Sequence, residues 1–164
     1  MPTKYEEMCD AVATSQRNID QYRTDCWNYL AALYNGFIVY SGIPQENVTL
    51  LKWNGSDDDL SQFSPPENGG KYSLQGAAVL GNDAFWRLGV KIFLKPWATI
   101  WFAFFVAEHD GRPTVKIGDR TYNPDLAKPD DCNEIYDEII DRVKDAFSFP
   151  KKSKGKSIGF TVES

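Results

Sequence analysis

The 164-residue chain contains one histidine, His109, and three cysteines, Cys9, Cys26 and Cys132, with no C-x-x-C pair among them. That spacing suggests neither a disulfide framework nor a zinc site, and free thiols fit a reducing cytoplasm. With no second histidine, any Ser-His-Asp or Cys-His site would have to use His109. That residue sits inside "EHDGRP", at an expected hairpin tip, whereas a general base needs a dry, oriented setting. Gly69, Gly70, Gly76, Gly81 and Gly89 form neither G-x-G-x-x-G nor a P-loop, so a Rossmann-type nucleotide site is excluded. No cofactor is implied. Asp57, Asp58 and Asp59 offer hard oxygen ligands, but their spacing matches no EF-hand and solvated loop charge is the simpler reading.

Long hydrophobic runs are also missing. The longest, Trp97 to Ala107, is interrupted by Thr99, and a spanning helix needs about 20 apolar residues. The polar opening "MPTKYEEMCDA" has no apolar core of a secretory signal. The net charge of −5 disfavours non-specific nucleic-acid binding, except through a local basic patch. The "KKSKGK" of 151–156 is such a patch, and an acid-rich stretch spans 130–145.

What is present is periodicity. Thr3-x-x-Glu6 is a capping box and marks a helix start. Tyr5, Met8, Val12, Ser15, Ile19, Tyr22, Cys26, Tyr29 and Leu33 follow at alternating steps of three and four, one narrow apolar stripe. This helix stops at Asn35-Gly36 or continues to Gly42. At about 46 Å for 31 residues it outruns a ten-residue strand of about 33 Å. The stripe either packs on its own sheet or, where it overhangs, forms a homodimer seam.

Residues 47–53 read as a short strand and 54–70 as a loop rich in Gly, Pro, Asn and Ser. Residues 71–80, 85–94, 97–107 and 113–118 read as successive strands. Asp110-Gly111 predicts a two-residue hairpin pairing Val106 with Val115 and Phe104 with Ile117. A three-residue connection, Lys95-Pro96-Trp97, collects Trp86, Leu88, Val90, Ile92 and Leu94 with Ala98, Ile100, Phe102, Phe104 and Val106 on one wall; a two-residue one would flip the register. Tyr72, Leu74, Ala78 and Leu80 can join that wall. Asp131-x-x-Glu134 opens a second helix with stripe Ile135, Ile139, Val143 and Phe147, ended by Pro150. The tail 151–164 is basic, and its "SIGFTV" alternates like an edge strand of this sheet or a partner's. The fold class is α+β: one domain over 1–150, an antiparallel meander of four to six strands with both helices on one face.

The opposite face then carries Arg87, Lys91, Phe93, Trp101, Phe105 and Lys116, half cationic and half aromatic. Such a face suits an acidic loop of a protein partner, since exposed Trp and Arg are common hot-spot types. It equally suits a small anionic ring compound, as a binding pocket or an enzyme site, or it is covered by a loop or the tail with the cationic stems lying over the rings. The leading expectation is a non-catalytic cytoplasmic binding protein (adaptor, inhibitor or immunity type); the alternative is a small-molecule or nucleotide pocket on the same face.

Overall fold

The structure, a computed structural model, describes residues 1–55, 60–95, 98–128, 130–147 and 160–163. The first helix, α1, spans Lys4–Ser41. Its capping box forms in full: Glu6 N–H donates to Thr3 Oγ1, and the Glu6 carboxylate accepts from Thr3 N–H. Of the two stops the sequence allows, Gly42 is the one used, at φ 72 with its N–H on the Ile38 carbonyl. Asn35-Gly36 does not interrupt the helix.

The strands are β1 (Val48–Trp53), β2 (Phe63–Ser64), β3 (Val79–Leu80), β4 (Trp86–Leu94), β5 (Ala98–His109), β6 (Arg112–Ile117), β7 (Arg120–Tyr122) and β8 (Phe160–Glu163). They form one antiparallel sheet in the order β2-β1-β4-β5-β6-β7, with β3 also on β4 and β8 also on β5. The eight strands among the described residues exceed the expected four to six because short pieces of two to four residues add to the sheet. Tail residues 160–163 pair with Thr99–Phe102 of the same sheet, while the lysines of 151–156 and Pro150 lie outside the described residues.

The expected registers form. Leu94 faces Ala98 and Val106 faces Val115. Asp110 and Gly111, at φ 52 and 76, supply the two left-handed residues that a tight twisted hairpin requires. The even positions of β4 and β5 consequently line one wall. Leu88, Val90, Ile92, Ile100, Phe102 and Phe104 are buried there with Leu30, Leu33 and Phe37 of α1. Phe37 meets Phe102 edge-on at 5.7 Å, a favoured aromatic geometry.

Residues 71–80 are not one strand. Ser73 caps a single helical turn, α2 (Leu74–Ala77), accepting from Gly76 N–H. This local side-chain cap gives the backbone an alternative to a ladder. Ala77 and Ala78 still reach the core, with Tyr72 and Leu74 partly buried against it, but Leu80 turns outward and is 43% exposed. The last helix, α3, spans Asn133–Ala146. Its cap position is Cys132 rather than Asp131, whose carboxylate accepts the Asp125 N–H instead. Ile135, Tyr136 and Ile139 bury against α1 and the sheet, whereas Phe147 at the end of the stripe is exposed. No helix among the described residues is long and apolar enough to cross a membrane.

Candidate functional site

Alternation places all six residues of the cationic-aromatic set on the face turned away from α1 and α3. Pairing brings Arg87 opposite Phe105, Lys91 opposite Trp101, Phe93 opposite Thr99 and Lys116 opposite Phe105. Lys91 Nζ stands 5.2 Å from the Trp101 ring centre, and Lys116 Nζ 5.9 Å from that of Phe105.

Part of this face is roofed. A helical turn at Leu60–Gln62 and β2 lie against this face, so that Leu60 and Phe63 join Leu51, Ala103 and Phe105 in a second small core. Gly89 makes room for it: a Cβ there would stand 2.7 Å from both Leu51 Cβ and Phe63 Cδ1, closer than packed carbons approach. Arg87 is 4% exposed beneath this roof. Its guanidinium donates to both Asp83 carboxylate oxygens at 2.9 and 3.0 Å and to the Phe85 carbonyl at 2.9 Å. It lies 4.3 Å from the Trp53 ring centre and 4.9 Å from that of Phe105. Arg87 and Phe105 are therefore interior groups. Lys91, Phe93, Trp101 and Lys116 retain exposure, with Phe93 at 41%. A small anion would meet two lysines on this face and no accessible arginine from the set.

Asp57, Asp58 and Asp59 lie outside the described residues, among which no cluster of three acids, histidines or cysteines could hold a metal. His109 is exposed at the hairpin end.

A carboxyl pair, Glu108 with Asp25, lies on the helix-covered side of the sheet. Glu108 continues the even series of β5 into the helix-covered side, next to Asp25 of α1. Alternation was the signal: a glutamate in register with Phe102, Phe104 and Val106 points inward. Burial, then a hydrogen bond shared with Asp25, holds the Glu108 carboxyl above the usual range. Beside it, Tyr22 donates its hydroxyl to the Ala84 carbonyl and accepts the Glu108 N–H. Burial pushes Tyr22 up to about 12 and the Cys26 thiol up to about 11, so Cys26 is protonated and a poor nucleophile at neutral pH. A carboxyl raised in the folded state adds stability in acid that is lost as pH rises through its folded pKa. Glu108→Gln is therefore expected to melt above wild type at neutral pH, and the two should converge in acid below about pH 4. Calorimetry across pH checks this; equal melting at every pH would refute the strained pair.

Among the described residues, α1 carries a run of exposed apolar side chains. Its buried positions begin at Cys26. Upstream, residues 4–19 are exposed without exception, with Tyr5, Met8, Val12 and Ile19 between 53% and 71% exposed. Where this projecting half meets the β3–β4 turn, a groove of about 870 Å³ runs between Ser15, Ile19 and Tyr22 on one side and Leu80, Ala84 and Trp86 on the other.

Comparison with known proteins finds no matching family model, curated protein or solved structure.

Proposed function

We propose that this chain is a non-catalytic protein-binding module of a reducing cytoplasm, an adaptor, inhibitor or immunity-type protein that docks on a macromolecular partner through the projecting half of α1. One observation carries this: the apolar stripe continues without change of period from the covered half of the helix into a half whose large apolar side chains stay exposed among the described residues. A helical segment of this length without tertiary support is marginal in water. Each large apolar side chain on it is worth about 1.5–3 kcal/mol when fully buried, so a partner that covers the stripe stabilises the helix as well as the complex. The sheet face offers less, because its arginine and one of its rings are inside the protein. The free cysteines, one exposed and two buried, support the reducing compartment.

Val12→Glu and Ile19→Glu change exposed positions and are expected to keep the melting temperature of the core. Both should lose the protein that wild type captures from its native host, while Trp101→Ala keeps it. Undiminished capture by both glutamate variants would remove α1 as the docking element.

A further inference from the structure

We infer that Asn68 is a site of spontaneous covalent modification, where the chain converts its own asparagine to aspartate and isoaspartate without an enzyme. The reaction needs an asparagine carboxamide within reach of the next backbone nitrogen, and a following glycine leaves that nitrogen unhindered. The chain has three Asn-Gly pairs, Asn35-Gly36, Asn54-Gly55 and Asn68-Gly69, and the fold treats them differently. Asn35-Gly36 lies inside α1, where the Tyr136 hydroxyl fills the space at Gly36. Closing a ring there would unwind a helical turn. Asn54-Gly55 follows β1, and the Asn54 N–H is tied to the Gln62 carbonyl at 2.8 Å. Asn68-Gly69 stands in an exposed turn. The bond from Gly69 N–H to the Pro66 carbonyl is long, at 3.4 Å, and no atom lies within 4 Å of where a Cβ on Gly69 would stand.

A second contact activates the carboxamide. Asn68 Oδ1 accepts the Gly70 N–H at 3.1 Å, a bond that asparagine side chains make to the backbone two residues on. That donor draws electron density from Asn68 Cγ and already stands at the oxygen where negative charge develops during attack. The attack joins Gly69 N to Asn68 Cγ while the amide proton passes to a solvent base. The Cγ–Nδ2 bond then breaks, and its nitrogen takes a proton and leaves as ammonia, giving a five-membered succinimide. Water opens the ring. Cleavage between Gly69 N and Cγ restores the chain with aspartate at position 68. Cleavage between Gly69 N and the main-chain carbonyl carbon gives isoaspartate, with the chain running through Cβ and Cγ. Carboxamide and water become carboxylate and ammonia, with no oxidation or reduction. Either product adds a negative charge beside Glu67, on the segment that follows β2.

The test holds the full chain at neutral pH, natively and in urea, and follows conversion at each pair by mass-spectrometric peptide mapping. In urea the three pairs should react at similar rates. In the native protein Asn35 should slow about 100-fold, while Asn68 should keep at least its rate in urea. Gly70→Pro preserves the Asn-Gly pair but removes the donor to Asn68 Oδ1, and should slow the native reaction about tenfold. Asn68 protected alongside Asn35, or Asn54 converting faster than Asn68 in the native protein, would overturn the site. A Gly70→Pro protein reacting at the wild-type rate would overturn the activating role of the turn.

Discussion

Gly36→Ala is expected to lose about 2–3 kcal/mol of stability, although alanine is the better helix former by up to about 1 kcal/mol. A Cβ at Gly36 would overlap the Tyr136 hydroxyl, which donates to the Leu33 carbonyl at 3.0 Å from a buried position. The Tyr136 ring cannot retreat easily, because Phe37 and Tyr40 pack against it with ring centres 5.7 and 5.5 Å away. The strain should instead lift α3 from α1. For a chain of this size that corresponds to roughly 4–12 °C in melting temperature. Tyr136→Phe alone should cost about 1 kcal/mol. Combined with Gly36→Ala it should recover part of the loss, because it removes the oxygen that clashes. This coupling is the diagnostic result of the cycle. A Gly36→Ala protein as stable as wild type would mean that the helices do not cross at this point.

Arg87→Met should lose about 2–4 kcal/mol, the low side of what breaking a buried ion pair costs, because Asp83 is 46% exposed and can rehydrate. The bidentate bonds, the Phe85 carbonyl's donor and the stacking between Trp53 and Phe105 go together. Arg87→Lys should recover only part of the stability, since an ammonium cannot present a planar fork. The loss has a pH signature. The hydrogen bond from Arg87 holds the Asp83 carboxyl below its usual range. A carboxylate depressed in the folded state contributes stability above its unfolded pKa and loses it as pH falls through the folded value. The difference between wild type and Arg87→Met should therefore narrow in acid below about pH 4. Denaturant titrations at several pH values measure it; a difference constant across that range would separate Arg87 from Asp83.

Both positions show how far residue patterns reach. Gly36 read as a possible helix stop, because glycine lowers local helix propensity. Its role as the contact point for Tyr136 involves a residue 100 positions away. Arg87 was placed on the correct face by alternation, and that face was open to either of two interpretations, a binding surface or a covered one. The structure covers it at Arg87 and Phe105 and leaves Lys91, Phe93, Trp101 and Lys116 at least partly exposed. Strand 71–80 failed for a different reason: a side-chain cap at Ser73 outweighed an alternation only partly kept in that stretch.

Sequence alone determined the long capped helix, the two-residue hairpin, the three-residue link before Ala98 and the division of β4 and β5 into an apolar and a mixed face. These follow from periods of 2 and 3.6 and from turn chemistry, which act between near neighbours along the chain. Tertiary structure alone decided where α1 leaves the sheet, that residues 60–64 roof the mixed face over Gly89, and that Glu108 meets Asp25. A period states which way a side chain points; whether anything stands there depends on segments remote in sequence, brought close only when the core assembles.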